Sequence, residues 1–350
     1  MTGRAVHGTE GFGHDRGIDD PLAPYVPRLV VDWLHDEPGR PHRTVAGTCV
    51  FADISGFTAL TERLSAAGKV GAEEMADVLN RAFDELLTAA YDFGASLLKW
   101  GGDAVLLHFD GPRHVARAVN GAWAMQAVMR RIGRLQTSRG LVRLGMSIGV
   151  HTGDLDLLLV GSGHSELVVA GPAATITARM EKIAERGQVV VSGATAAALP
   201  ARCVGIAVGD GFVLARVPQV DHTPNRSAKR HGIDLGEALS HDVGEHLRSG
   251  LVEHEHRFVT VGFLQFSGTD RLLAEHGAAA FAESVAYVID AVQRAATDNE
   301  VSFLATDIAE DGGKVMLAAG APRSAGDDET RMLAALRRVV HPGGRLDLRA

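Results

Sequence analysis

The chain reads as an α+β protein of the ferredoxin-like kind, with the order βαββαβ, followed by a second, partial copy of the same pattern. Three observations carry that reading. Residues 44–135 run strand, long amphipathic helix, glycine-turned hairpin and second amphipathic helix. Strands rich in Val and Leu then alternate with a helix to about residue 200. The opening pattern returns at 257–322, an internal repeat of about 200 residues.

The elements follow in order. TVAGTCVFADI (44–54) is a buried strand. GAEEMADVLNRAFDELLTAAYDFG (71–94) places Met75, Val78, Leu79, Phe83, Leu86, Leu87 and Ala90 on one helical stripe, with Gly94 as its C-terminal cap. ASLLKW and GGDAVLLHFD (95–110) form a hairpin with a tight glycine turn. Residues 114–135 are a second amphipathic helix. LVRLGMSIGVHTGDLDLLLVG and ELVVAG add strands, ATITARMEKIAERG adds a helix, and QVVVSGATAAAL a strand and short helix. Helices on one face of a mostly antiparallel sheet are expected. Beyond about 201 the pattern blurs. The units expected are an N-terminal extension, 1–44, partly disordered; a first domain, 45–217; a polar linker, 218–255; and a diverged second copy, 256–350. That copy stops partway through its pattern, so the chain is expected to be cut from something longer.

Composition narrows the partners. With 46% hydrophobic residues the chain can bury a real core, and a net charge of −8 offers no basic field for nucleic acid or an anionic membrane. No apolar run approaches the roughly 20 residues of a membrane helix, and the N-terminus has no apolar signal core, so a cytoplasmic protein is expected. Cys49 and Cys203 fit no metal or disulfide spacing and read as reduced and structural. The sixteen histidines do not make a zinc site: neither HDVGEH (241–246) nor HEHR (254–257) is a helical HExxH pair.

The chemistry concentrates at two acids. Asp53 ends the first strand and Asp103 lies in the hairpin KWGGDAVLLHF, so neighbouring strands would bring two carboxylates together. Such a pair repels unless a cation sits between the two groups, and magnesium is held by one or two carboxylates plus substrate phosphates. Ser55-Gly56-Phe57-Thr58 then opens a helix whose free N–H groups and positive end suit a triphosphate, with Gly56 leaving room for close approach. Together these features point to metal-assisted phosphoryl or nucleotidyl transfer. Taken alone, Asp53 is an ordinary strand-end cap. DFG (92–94) is a helix cap rather than a kinase motif, and GSGH (161–164) is a turn.

FADISGFTALTERL, KWGGDAVLLHF, GMSIGVHTGDL and VVAGPAATITARMEKIA resemble, in order and spacing, the motifs of class III nucleotidyl cyclase catalytic domains. The tandem arrangement is similar to that of soluble, bicarbonate-responsive adenylyl cyclases. The resemblance spans about 45–200 and, more weakly, 256–350. It implies an adenylyl cyclase converting ATP to cyclic AMP and pyrophosphate at an interface of two cyclase domains, paired within the chain or in a homodimer. Two Mg2+ or Mn2+ ions would be held by Asp53, Ile54 and Asp103, and the backbone of Ile54, Ser55, Gly56, Phe57 and Thr58 would cradle the triphosphate. Lys99 matches the adenine-reading lysine and Arg179 the transition-state arginine. In a tandem cyclase the same Lys99 and Arg179 would instead face a pseudo-symmetric pocket that binds bicarbonate as activator.

Departures qualify the match. Thr175 stands for the family's asparagine and Val168 for its base-reading aspartate. In the repeat Gln265 replaces the first metal aspartate and Lys314 the second. A degenerate module that binds nucleotide or bicarbonate and regulates an attached domain is therefore the alternative. A diguanylate cyclase, from GGDAV (101–105), is the weakest reading because Ala104-Val105 lack that motif's acidic and aromatic ends.

Overall fold

A computed structural model describes residues 20–222, 233–249, 257–323, 325–340 and 344–350. The expected disorder of the first residues and the linker stretches 223–232 and 250–256, His254 and His256 included, lie outside the described residues. The chain begins with α1 (Arg28–Asp36), β1 (His42–Ser55), α2 (Phe57–Ser65), α3 (Gly68–Tyr91), the hairpin β2 (Ser96–Gly101) and β3 (Ala104–Phe109), and α4 (His114–Ile132). A small hairpin, β4 (Arg134–Thr137) and β5 (Gly140–Arg143), leads into β6 (Gly145–Val160), β7 (Glu166–Ala170), α5 (Pro172–Ile183), β8 (Val189–Ser192), α6 (Gly193–Ala197), β9 (Val204–Val208) and β10 (Gly211–Leu214). After α7 (His241–Arg248) come β11 (Thr260–Ser267), α8 (Thr269–Asp298), β12 (Ser302–Ala309), β13 (Gly312–Ala319), α9 (Asp328–Val339) and β14 (Asp347–Arg349).

The expected α+β architecture is present. The large sheet runs β2-β3-β1-β6-β8-β10-β9, with β7 paired to the far end of β6. All its pairs are antiparallel except β6 with β8, which α5 joins as a crossover. β9 and β10, short and partly exposed, extend the edge where the sequence pattern blurs. On one face, Val50, Ala52, Ile54, Leu107 and Ile148 meet Leu60 of α2, Phe83 and Leu86 of α3 and Met125 of α4. Each Val, Leu, Ile, Phe or Met side chain among them contributes roughly 1.5–3 kcal/mol on full burial. The helices are not confined to that face. α1 and α5 cover the other, where Trp33, Ala174 and Ala178 pack with Cys49, Leu98, Leu106 and Leu157. The linker also joins this layer, since Leu235 is fully buried in it.

The second sheet runs β12-β13-β11-β14, the same order as β2-β3-β1-β6. α8 corresponds to α2 and α3 joined, with a break in helical geometry at Gly277 (φ 77°) between its two parts. Its core, built on Leu264, Phe266, Phe281, Val285 and Val315, also takes in Leu158, Val160 and Val168 of the first copy. Val168 is thus an intercopy packing residue. Both cysteines are buried and free, and burial pushes the Cys49 thiol up to about 12. Among the described residues no helix is long and apolar enough to cross a membrane, and no three or more His, Cys, Asp or Glu groups form a metal site by themselves.

One buried titratable group gives this fold a pH signature. His108 on β3 is 3% exposed, its Nε2 has no partner, and burial holds the ring down at about 4. In the unfolded chain the ring titrates near its ordinary value, so acid favours unfolding: the stability is complete above about 6.5 and falls as pH drops toward about 4. Chemical denaturation across that window should show His108→Leu with an acid slope shallower by up to ~1.4 kcal/mol per pH unit. An unchanged slope would mean that the ring is solvated.

Candidate active site at the end of the central strand

β1 is held on both sides, and its register fixes the acid. Asp53 lies opposite Ala104 of β3 and Ser147 of β6. The adjacent turn residue is Asp103, whose carbonyl accepts the Ile54 N–H at 3.0 Å. The expected pair is therefore brought together. Burial and then the Asp103 charge push the Asp53 carboxyl up to about 6, with Glu181 adding to the rise and Lys314 opposing it. A half-buried carboxylate raised in this way lacks a full counter-charge, and the oxygen donors here suit a hard divalent cation.

Glu181 is the acid that the motif reading missed. α5 crosses β6 at Gly149, where a Cβ would collide with the Glu181 backbone. Gly149 lies opposite Phe51 and shares a face with Asp53 and Ser147, so the crossing delivers Glu181 to the acid end of β1. Its Oε1 accepts the Ser147 hydroxyl at 2.6 Å, while burial raises its carboxyl and the Asp103 charge adds to that. The signal was present in ATITARMEKIA: Ala174, Thr177, Ala178 and Glu181 form a small-residue helical stripe that ends in an acid.

The turn after Asp53 has the expected form with an added reason for its glycine. Gly56 has φ 92°, and a Cβ there would stand 2.7 Å from the Arg143 carbonyl, so packing against β5 already requires glycine. α2 starts at Phe57 with no side-chain cap, and the Ser55 hydroxyl is buried without a partner. Phe57 is half-buried and Thr58 exposed. An open helix N-terminus can accept phosphate oxygens.

The equivalent turn of the second copy is closed by the chain itself. Asp311, at the β12–β13 turn, accepts the Gly268 N–H at 3.2 Å and the Asp270 N–H at 3.0 Å, capping α8. Its own N–H is bound by Thr175 Oγ1 at 2.9 Å. Gln265 lies opposite Lys314 as Asp53 lies opposite Ala104. The position of Asp103 is therefore taken by Gly313, and the expected correspondence of Lys314 with that acid is off by one residue. The hairpin strands of the repeat run two residues further on each arm before the turn, which hides this in the linear sequence.

Lys99 and Arg179 are elsewhere. Lys99 is buried, its Nζ bonded to Glu166 Oε1 at 2.6 Å and to Thr306 Oγ1 at 2.9 Å. Glu166 Oε1 also accepts the Thr306 N–H at 2.8 Å. Burial alone would raise the Glu166 carboxyl, but the Lys99 charge and then the His164 ring hold it at about 2. The place expected for adenine or bicarbonate at Lys99 is thus filled by a carboxylate of the chain. Arg179 pairs with Asp210 at 3.2 Å, half-exposed, and acts on Asp270 of the second copy rather than pairing with Asp53 or Asp103.

The Lys99–Glu166–Thr306 cluster joins the two copies. Lys99→Met should leave Glu166 buried without its lysine, at a cost of ~3–5 kcal/mol, and Lys99→Met with Glu166→Gln should cost clearly less than the sum of the singles. Urea denaturation of the four proteins reads this directly, and strict additivity would deny the coupling.

Residues 40–215 match the family described as adenylate and guanylate cyclase catalytic domain. Human adenylate cyclase type 10 is 29% identical over 178 residues, covering 49% of this chain and 11% of that protein. The rat protein of the same name is 38% identical over 88 residues, covering 24% of this chain and 5% of its own length. The chain thus spans about a tenth or less of these relatives. Among solved structures, the guanylyl cyclase Cya2 is 24% identical with a TM-score of 0.44, covering 53% of this chain and all of that one. The adenylyl cyclase CyaB from P. aeruginosa is 23% identical with a TM-score of 0.43, covering 52% of this chain and 97% of that one.

Proposed function

The chain belongs to the adenylate and guanylate cyclase catalytic domain family, and on that premise we propose that the Asp53–Asp103 end of β1 is an adenylyl cyclase site. The observation that carries this is the acid pair beside an uncapped helix N-terminus, with Asp53 raised to about 6 by burial and by Asp103. The choice of ATP over GTP rests on the likeness to adenylate cyclase type 10.

Asp53, Asp103 and the Ile54 carbonyl would hold two Mg2+ or Mn2+ ions. Those ions, when bound, supply activation of the ribose 3′-hydroxyl and neutralisation of the triphosphate. The backbone amides of the Ser55–Thr58 turn bind phosphate oxygens and orient the triphosphate for in-line displacement. In the reaction the 3′-oxygen bonds to the α-phosphorus, the bond to the β-phosphate oxygen breaks, and pyrophosphate departs. The hydroxyl proton passes to solvent or to a neighbouring carboxylate. Glu181, kept in place by Ser147, keeps the acid end of the site negative and so favours cation entry.

The two copies, 45–217 and 256–350, would pair within the chain as unequal halves, the first supplying the acids. A second reading has its own support. Lys99 is bound by Glu166, and Thr175 by Asp311, so two groups matched to the catalytic set are engaged in packing. On that reading the chain binds nucleotide and regulates an attached partner.

With Mn2+ and ATP, the chain should form cyclic AMP, and Asp53→Ala or Asp103→Ala should lower kcat by about 10²-fold or more. Unchanged turnover in both variants would refute the acid assignment. Nucleotide binding without turnover in the wild-type chain would favour the regulatory reading.

A further inference from the structure

The acid end of β1 is faced by a row of polar side chains from the second copy. Asp307 on β12 and Gln265 on β11 both lie opposite Lys314 on β13, so the three share one face of the second sheet. Asp307 Oδ2 holds the Lys314 ammonium at 3.2 Å, and Asp307 Oδ1 accepts its neighbour's N–H, from Ile308, at 2.8 Å. The same carboxylate rests on the first copy's hairpin: a Cβ on Gly101 would lie 2.8 Å from Asp307 Oδ2. Gly101 is two residues from Asp103. The pair therefore stands at the mouth of the acid site, with Lys314 46% exposed and Asp307 10% exposed. The Lys314 charge reaches Asp53, where it opposes the rise caused by the other acids.

The register shows why the second copy carries a cation here. Lys99 follows the bulge in β2, and Ala305 follows the equivalent bulge in β12. The second copy has thus lost a lysine at the strand position that Lys99 occupies. It gains one on the neighbouring strand, where the first copy has Ala104. Lys99 itself is buried and bound to Glu166. Lys314 is the half-exposed lysine of the second copy that faces the acids.

We propose that Lys314, steadied by Asp307, is a phosphate-binding residue that the second copy contributes to the nucleotide site at Asp53 and Asp103. The proposal rests on the cyclase reading of that site. Without nucleotide, the ammonium is a counter-charge to the acids. With a nucleoside triphosphate present, it turns to the phosphate oxygens, and Asp307 limits how far it can swing. A lysine is suited to this because its ammonium is a compact charge on a flexible stem.

The test measures binding rather than turnover, on the full chain by equilibrium dialysis. Two probes are used: Mn2+ alone, and a non-hydrolysable ATP analogue at saturating Mn2+. Lys314→Met should weaken the analogue by about tenfold, the scale of one hydrogen bond to a charged group. The same change should tighten Mn2+ alone by several-fold, because a positive charge leaves the acids. Lys314→Arg should restore analogue binding to within about threefold of wild type, which also guards against a folding artefact. Opposite signs for the two probes support the proposal, since a merely structural lysine would move both in one direction. Unaltered analogue binding in Lys314→Met, or a parallel loss of both probes, overturns it. If Asp53→Ala binds Mn2+ as the wild type does, the cyclase reading of the site falls, and with it this one.

Discussion

The antiparallel register of β1 between β3 and β6 is the constraint on which the site depends. It sets Asp53 against Ala104 and Ser147, places Asp103 in the next turn, and turns the chain at Ser55-Gly56 into α2. A slip of one residue would move Asp53 into the apolar layer with Ala52 and Ile54, where an unpaired carboxylate is very costly. Val50, Ala52 and Ile54, all nearly fully buried, oppose that slip. The hydrophobic alternation that stabilises the sheet therefore also holds like charges together. Burial and then that repulsion raise the Asp53 carboxyl, and a bound cation would offset both.

The two copies are similar in topology and opposite in electrostatics. At the first, the helix N-terminus is uncapped and the acids lack full neutralisation. At the second, Asp311 caps α8, Gln265 stands in the acid's place, and Thr175 ties the turn down. The pseudo-equivalent cations are settled too, Lys99 on Glu166 and Arg179 on Asp210. An ion pair buried in this way contributes little net stability because desolvation offsets its attraction. Its geometry nonetheless admits few alternatives: Glu166 Oε1 takes bonds from Lys99 and from both the N–H and hydroxyl of Thr306. The cluster thus specifies how the second copy docks, and the docking aims Asp307 and Lys314 at the hairpin that bears Asp103.

Local pattern made much of this legible. The β1 alternation, the α3 and α4 stripes and the glycine hairpin are short-range signals, and the structure has each of them. The meeting of Asp53 and Asp103 could be read because one strand pairing joins them. What the sequence hid depends on long-range partners. Lys99 finds Glu166 67 residues away and Thr306 207 residues away, and nothing near KWGGD reveals either. Glu181 needed the crossing of α5 over Gly149. The position equivalent to Asp103 in the repeat shifted because β12 and β13 stay paired two residues beyond the point where β2 and β3 turn. α1 and Leu235 were read as extension and linker, yet both are packed into the sheet's second face, which no local periodicity announces.

The central claim is that Asp53 and Asp103 act as one cation-holding unit. A double-mutant cycle of Mn2+ affinity, read by electron paramagnetic resonance on wild type, Asp53→Asn, Asp103→Asn and the double variant, tests it most directly. If the two carboxylates share the ion, either single change should remove most of the binding, by about tenfold or more, and the double should add little further. Independent, additive losses, or wild-type affinity in either single variant, would contradict the account.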